Sequence, residues 1–240
     1  MQERFDSTNT DKLLSENLNQ NTVLINCIAI GVTFNPFISN YQFENNIKLH
    51  KKIIDNFYKS QSKKLIYFSS IFENTNSLSV PPDRSNYLNY KIACSKQYEK
   101  YLKKDERFYR IHLPNILADN QPAGRFFYDL VYSAKKGTPF SIKHPKMPLI
   151  VITIDTFLEN FFTIVFSEGG GNYNIAEEES FSNIEFVNFV NMLLEDNNHQ
   201  KIDVKVPQSY NLDSKFFDSK RVSKNFSNQV SNYINIIFNS

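Results

Sequence analysis

Two short apolar runs separated by an amphipathic segment most constrain the fold of this chain. Residues 23–30 (VLINCIAI) and 65–68 (LIYF) are too short for a typical helix and are bounded by turn-forming residues, which is typical of strands buried on both faces of a sheet. The segment between them, FENNIKLHKKIIDNFYKS, repeats its apolar residues at near-helical spacing and carries lysines on the other face. The pattern predicts strand, surface helix and strand.

The same alternation continues further along the chain. A helical pattern runs from Tyr87 to about Leu102, and RFYRIHLPNIL supplies another strand. Strands that alternate with helices in this order pack as a parallel sheet wound with helices. We therefore predict an α/β fold.

Beyond Pro114 the pattern of predicted strands and helices changes. A helix closed by Gly137, a short strand in MPLIVITID and a helix in TFLENFFTIVFSE precede a turn of three glycines. Ser182, with Glu185 three residues on, has the pattern of a capping box at the start of another helix. We predict two domains: residues 1–117 hold the parallel sheet, and residues 118–240 form a smaller α+β lobe partly interleaved with it.

Composition favours a soluble cytoplasmic protein. The 27 basic and 25 acidic side chains are spread along the chain, so neither a nucleic-acid nor a membrane partner is expected. No stretch approaches the ~18 to 20 apolar residues of a membrane span, and the N-terminus has no apolar targeting segment. Cys27 and Cys94 are interpreted as small core residues of a reducing compartment. The four histidines show no metal-ligand spacing, so no metal site is expected.

Two Tyr/Lys pairs stand four residues apart, a spacing that places both side chains on one face of a helix. They are Tyr87 with Lys91 in YLNYK and Tyr132 with Lys136 in YSAKK. With 13 Tyr and 27 Lys+Arg among 240 residues, roughly one or two Tyr/basic pairs at this spacing are expected by chance. Spacing alone therefore does not select a catalytic pair.

Several stretches, in order, resemble the extended short-chain dehydrogenase/reductase family, the NAD-dependent nucleotide-sugar epimerases and dehydratases. VLINCIAI resembles the family's fourth strand, FENNIKLHKKIIDNF the helix after it, and LIYFSS the fifth strand with its serines. Tyr87 and Lys91 match the YxxxK motif downstream of that strand. HLPNIL, VITID, GGGNYNIAEEESFSNIEFV and NLDSKFFDSKRVSKNF resemble later segments. The resemblance selects Tyr87 and Lys91, and it leaves Tyr132 and Lys136 as a plain surface helix.

The resemblance implies a role for each site residue. Tyr87 would exchange a proton with a sugar hydroxyl, because a neighbouring ammonium lowers the pKa of a phenol from its ordinary value near ~10. Lys91 would supply that charge and hold the nicotinamide ribose of NAD or NADP. Ser70, or Ser69 if the loop is one residue shorter, would bind the substrate oxygen. Pro114 would lie at the cofactor, and Asn115 at the nucleotide sugar.

The family's first strand and its GxxGxxG turn have no counterpart in the sequence. The six glycines stand at 31, 124, 137 and 169–171, and FDST near the start resembles the family's third strand. The resemblance thus implies a truncated Rossmann-like, doubly wound sheet, in which VLINCIAI becomes an open apolar edge. We expect a homo-oligomer or a partner chain to cover that edge, unless the N-terminus is rearranged or the start is misassigned. The missing turn argues against tight autonomous binding of the dinucleotide.

Three functional hypotheses follow. The first is an NAD(P)-dependent nucleotide-sugar epimerase, dehydratase or 4-keto reductase of surface-polysaccharide biosynthesis. The second is an inactive family member that acts as a binding or regulatory subunit, or the C-terminal part of a longer or split enzyme. The third is an unrelated α/β protein such as a sugar transferase.

His112, where the family commonly has Arg, is interpreted as a strand residue rather than a catalyst. Ala118 and Asp119 stand where the family usually has a Gly.

Overall fold

The computed structural model describes five segments of the chain: residues 21–27, 40–74, 85–175, 179–207 and 222–240. Within the whole chain, contacts define two compact units. The first is Met1–Leu113 with Ile164–Ile175, and the second is Pro114–Thr163 with Ala176–Ser240.

The first unit is built on a four-stranded parallel sheet. Its strands, in spatial order, are β1 (Val23–Asn26), β2 (Lys64–Ser70), β3 (Phe108–Leu113) and β7 (Gly171–Asn174). Every neighbouring pair is parallel. Helix α1 (Asn40–Lys59) stands between β1 and β2 in the chain, and a 3-10 turn (Ile71–Asn74) followed by α2 (Ser85–Leu102) stands between β2 and β3. The predicted α/β class is confirmed.

The core of the first unit lies between this sheet and its two helices. It contains Ile53, Ile54 and Phe57 of α1, packed with residues of β2, α2 and β3 that are Leu65, Tyr67, Tyr90, Cys94, Tyr98 and Phe108. Burial raises the pKa of the Cys94 thiol to about 12, so this cysteine is the small core residue that was predicted.

Two expectations about the first strand were wrong. Ile25 is 45% exposed, so β1 is not buried on both faces. Cys27, predicted in the core, is exposed just beyond the end of β1. Successive side chains of a strand point to opposite faces, and Leu24 packs against the core of the first unit, so Ile25 points away from that core. Residues 28–30 of the predicted strand, FDST, Gly31 and most of NLDSKFFDSKRVSKNF lie outside the described residues.

The second unit has its own small sheets. Strands β4 (Asn115–Leu117) and β6 (Pro148–Thr153) are parallel, β8 (Glu179–Ser182) is antiparallel to β6, and β5 (Phe140–Ser141) pairs with β9 (Val204–Lys205). The remaining helices are α3 (Phe126–Lys136), α4 (Ile154–Phe166), α5 (Asn183–Asp196) and α6 (Lys224–Asn239).

Two local predictions for this part of the chain are confirmed. Gly137 ends α3 in a left-handed conformation, with φ of 64°. Ser182 and Glu185 form a capping box at the start of α5.

The predicted strand RFYRIHLPNIL is two strands rather than one. The break falls at Pro114, which separates β3 from β4, and the two strands belong to different units. Proline has no backbone N–H to donate to a ladder and interrupts pairing. The apolar pattern on both sides of Pro114 hides this break.

A buried lysine fixes the end of α4 to the sheet of the first unit. Lys64 is 5% exposed, and its ammonium donates to the carbonyl of Val165 at 2.5 Å and to that of Ser167. It also lies 4.7 Å from the centroid of the Tyr109 ring. Carbonyls at the C-terminal end of a helix have no intrahelical partner, so a cation here satisfies them and complements the helix dipole.

The glycine turn that follows α4 is shaped by close backbone approach. A Cβ atom at Gly170 would overlap the backbone carbonyls of Phe108 and Glu106. Gly169 has φ of 83°, a region that favours glycine. The turn therefore brings β7 directly alongside β3.

We expect Lys64→Met to lower the free energy of unfolding by about 2 kcal/mol, because it leaves the partly buried carbonyls of Val165 and Ser167 without their charged donor while keeping the side-chain volume. Urea denaturation followed by circular dichroism measures this. Lys63→Met is the matched control, since Lys63 is exposed, and its effect should stay within about 0.5 kcal/mol. Equal unfolding midpoints for the two variants would contradict the assignment.

Candidate functional site

Three of the predicted site residues, Ser69, Ser70 and Lys91, lie at the carboxyl end of β2. Ser69 and Ser70 are the last two residues of that strand and are 3% and 8% exposed. They pair in register with His112 and Leu113 at the end of β3. The carboxyl ends of parallel strands are where open α/β sheets bind ligands, so this edge is the candidate site.

Lys91 is directed at the same strand end. Its ammonium donates to the carbonyl of Phe68 at 3.3 Å and lies 5.8 Å from the centroid of the Tyr67 ring. Desolvation lowers the pKa of the Lys91 ammonium, and the nearby Glu73 carboxylate acts in the opposite direction. A half-buried cation thus lies beside the carbonyl that precedes the two serines.

Tyr87 lies one helical turn before Lys91. Helix α2 begins at Ser85, so both members of the predicted pair belong to its first two turns. The side chain of Tyr87 lies outside the described residues. The structure therefore brings Lys91 and the two serines together, and the place of the Tyr87 phenol remains a prediction.

Pro114 and Asn115 belong to the second unit. Pro114 is buried between β3 and β4. The side-chain amide of Asn115 donates to the carbonyl of Ile150 at 3.0 Å. Their predicted contacts with cofactor and nucleotide sugar stay predictions.

Sequence reasoning missed a buried polar chain behind the two serines. The hydroxyls of Ser69 and Ser95 are 3.2 Å apart, and Ser95 donates to the carboxylate of Glu73. The Nδ1 atom of His112 lies 3.3 Å from the Ser69 hydroxyl and 3.4 Å from the Ser70 carbonyl oxygen. Ser95 had a signal in the sequence, because it stands four residues after Lys91 on the same helix. No spacing in the sequence points to Glu73 or His112.

Burial favours the neutral form of His112. The side chain is 3% exposed, and desolvation lowers its pKa below 6.5, although its contact with the Ser70 carbonyl acts in the opposite direction. A carbonyl oxygen only accepts hydrogen bonds, so the contact with the Ser70 carbonyl favours the tautomer with the proton on Nδ1.

The second Tyr/Lys pair is a surface feature, as predicted. Lys136 is exposed, and its ammonium lies 4.6 Å from the centroid of the Tyr132 ring, which stacks on Tyr128 at 5.5 Å. The hydrogen bond with Tyr132 raises the pKa of Lys136. This pair therefore serves as a control for the first.

Metal and membrane functions receive no support from the described part of the chain. Its His, Cys, Asp and Glu side chains form no group of three or more that could hold a metal ion. None of the helices found there has the length and apolar character needed to cross a bilayer.

Solved structures of the same architecture cover most of the chain. The UDP-N-acetylglucosamine 4-epimerase from Bacillus cereus aligns with a TM-score of 0.68 at 16% identity, over 98% of this chain and 83% of that one. A variant of the UDP-glucuronic acid 4-epimerase from Bacillus cereus, in complex with UDP-4-deoxy-4-fluoro-glucuronic acid and NAD, gives 0.73 at 17% identity, over 98% and 80%. This chain has the fold of the nucleotide-sugar epimerases.

A third structure with this fold comes from another organism. The UDP-N-acetylglucosamine 4-epimerase from Methanobrevibacter ruminantium, in complex with UDP-N-acetylmuramic acid, gives a TM-score of 0.68 at 15% identity, over 94% of this chain and 79% of that one. No protein-family model matches the sequence, and no curated protein matches it. The Rossmann-like α/β architecture implied by the sequence is confirmed at the level of fold.

The pKa of His112 predicts how stability responds to acid. The unfolded chain binds a proton near pH 6.5 whereas the folded chain does so only at lower pH, so the free energy of unfolding must fall as the pH drops below about 6.5. We expect His112→Gln to flatten this decline. Urea midpoints at pH 7.5 and 5.5 measure it, and an equal acid-induced loss in wild type and variant would refute the burial argument.

Proposed function

We propose that this protein is an NAD(P)-dependent enzyme that acts on a nucleotide sugar by epimerase, dehydratase or 4-keto reductase chemistry. One observation carries the proposal: the ammonium of Lys91 lies at the Phe68 carbonyl, beside Ser69 and Ser70 at the carboxyl end of β2. Tyr87 stands one helical turn earlier, which completes the residue types that such proton transfer needs.

Each side chain of the site has its own role in the proposed reaction. Tyr87 takes a proton from a sugar hydroxyl, because the positive charge of Lys91 stabilises its phenolate form. The hydroxyl of Ser70, or that of Ser69, binds the substrate oxygen at which charge changes. When bound, a nicotinamide dinucleotide supplies a hydride acceptor or donor, which none of these side chains is.

The residues present fit one end of that dinucleotide. Lys91 offers an ammonium to the hydroxyls of the nicotinamide ribose at the carboxyl edge of the sheet. The pyrophosphate end has no such support, because the described glycine turn 169–171 leads into the amino end of β7, the opposite edge of a parallel sheet. The proposal therefore includes a phosphate-binding element outside the described residues or from a partner chain.

The chemistry of the structural neighbours supports the choice of ligand. They include a UDP-glucuronic acid 4-epimerase in complex with UDP-glucuronic acid and NAD, and MoeE5 in complex with UDP-glucose and NAD. We extend the proposal to a cytoplasmic homo-oligomer, or a complex with a partner chain that covers β1, in surface-polysaccharide biosynthesis. Choosing between NAD and NADP is left to binding experiments.

A second candidate function is a nucleotide-sugar-binding or regulatory subunit without turnover, or the C-terminal part of a split enzyme. The glycines at 31, 124, 137 and 169–171 form no GxxGxxG pattern, and this favours the second candidate. The two candidates differ in dinucleotide binding.

Calorimetric titration of the full chain with NAD and NADP, alone and with UDP present, tests the proposal. We expect dissociation constants on the order of micromolar, weakened at least about tenfold by Lys91→Met, which removes the ribose contact while keeping side-chain volume. Lys136→Met, in the surface pair, should bind as wild type does. Absence of heat at millimolar cofactor in wild type would reject an enzyme that works without a partner chain and favour the second candidate, a binding subunit or one part of a split enzyme.

Turnover of UDP-sugars by the chain tests the role of the phenol. Tyr87→Phe should lower kcat by about 10²- to 10⁴-fold, because it removes the proton-transferring oxygen, and should leave dinucleotide binding nearly unchanged. Tyr132→Phe is the matched control. An active preparation in which Tyr87→Phe keeps full turnover would eliminate the mechanism.

A further inference from the structure

One carboxylate links the two elements that form the candidate site. The Oε1 atom of Glu73 accepts the backbone N–H of Ser70 at 3.1 Å, and its Oε2 atom accepts the hydroxyl of Ser95. Ser70 ends β2, and Ser95 lies one helical turn beyond Lys91 on α2. Glu73 therefore bridges the strand that carries the serines and the helix that carries the lysine.

The same carboxylate sets the direction of a buried hydrogen-bond chain. A carboxylate accepts and does not donate, so Ser95 gives its only proton to Glu73 and must accept from Ser69. Ser69 then accepts from the Nδ1–H of His112. The carbonyl of Ser70, 3.4 Å from the same nitrogen, is also an acceptor and favours the same direction.

The hydrogen-bonded side chains are well shielded from water. Ser69, Ser95 and His112 are each 3% exposed. In such surroundings a hydrogen bond is electrostatically stronger than in water, and reversing one member forces its neighbours to reverse as well. The orientation of three groups, Ser95, Ser69 and His112, therefore depends on one acceptor, the Glu73 carboxylate.

We propose that Glu73 is a positioning residue of the candidate active site, which fixes the Ser70 backbone against α2 and imposes the hydrogen-bond direction Nδ1–H of His112 to Ser69 to Ser95. What it positions for chemistry, Ser70 and Lys91, rests on the proposed function. Glu73 itself needs no contact with substrate or cofactor.

Histidine NMR on the uniformly ¹⁵N-labelled full chain tests the direction without any assay of activity. The four histidines allow assignment of the His112 signals by their loss in His112→Gln. We expect wild type at pH 7.5 to hold His112 as the Nδ1–H tautomer. In Glu73→Gln, the amide NH₂ donates to Ser95, which reverses Ser95 and Ser69 and shifts the tautomer population toward Nε2–H.

Glu99→Gln is the matched control for this experiment. Glu99 is a carboxylate on α2 whose side chain is 57% exposed and lies 3.5 Å from Arg110. Its spectrum should retain the wild-type His112 signals. An Nε2–H tautomer in wild type, an unchanged tautomer in Glu73→Gln, or the same shift in Glu99→Gln would each overturn the proposal.

Kinetics with the nucleotide sugar that wild type turns over then separates positioning from general stability. We expect Glu73→Gln to lower kcat about tenfold or more with KM within about twofold, because a slightly misplaced group affects the transition state more than binding. Ser95→Ala should act in the same direction, and Glu99→Gln should not. Full kcat in Glu73→Gln would overturn the catalytic part of the proposal.

The two proposals fail in different ways. If wild type shows neither dinucleotide binding nor turnover, the proposed function fails. The NMR result alone then decides whether Glu73 sets the direction of the hydrogen bonds from His112 to Ser69 to Ser95. If wild type is active and the His112 tautomer ignores Glu73, the positioning role fails and the enzyme stands.

Discussion

The rest of the first unit depends on the parallel pairing of β2 with strands on both of its sides. Parallel pairing buries β2 completely at Leu65 and Ile66, and it brings the carboxyl ends of β2 and β3 together, with Ser69 opposite His112. Backbone polar groups at such a buried end must be hydrogen-bonded. Polar side chains do this: the Glu73 carboxylate accepts the Ser70 N–H, and Lys91 donates to the Phe68 carbonyl. The polar side chains that bond to the carboxyl end of β2 thus form the candidate site.

The charges at this strand end are costly to bury. The pKa of Lys91 is lowered mainly by desolvation, so the carbonyl, the Tyr67 ring and the Glu73 charge offset that cost only in part. Replacing buried charged groups by apolar residues of similar volume is often neutral or stabilising. Stability alone therefore does not account for a lysine at this position. The proposed function offers such a reason, because the ammonium would stabilise the phenolate form of Tyr87.

Features that depend on neighbouring residues in the chain could be predicted from the sequence. The buried run in β2, the helix that carries Lys91, the left-handed end of α3 at Gly137 and the capping box at Ser182 each follow from local spacing and residue type. The position of Lys91 beside the serines also followed, although only through the resemblance that ordered the elements. Tyr132 and Lys136 have the same spacing, and only their surroundings set the two pairs apart.

Features that depend on distant residues could not be predicted in this way. The exposure of Ile25 depends on which face of β1 packs against the core, and the change of unit at Pro114 depends on the pairing of β4 with β6. The polar chain is the clearest case. Ser69 and Ser95 are 26 residues apart, and Ser69 and His112 are 43 apart, so no local pattern joins them. Their chemistry appears only once the sheet register places Ser69 opposite His112 and the helix places Ser95 above both.

A shared fold and a shared reaction are separate questions for this chain. At 12 to 17% identity the likeness to the epimerases rests on backbone geometry, which many chemistries share. The carboxyl edge of the sheet holds the Lys91 cation beside the Phe68 carbonyl and a hydrogen-bonded chain of Ser69, Ser95 and Glu73, which the proposed function assigns to proton transfer. It does not by itself meet the needs of pyrophosphate binding. The dinucleotide's phosphates, rather than the sugar, are therefore the ligand groups whose recognition decides whether this fold carries out its proposed reaction alone or with a partner.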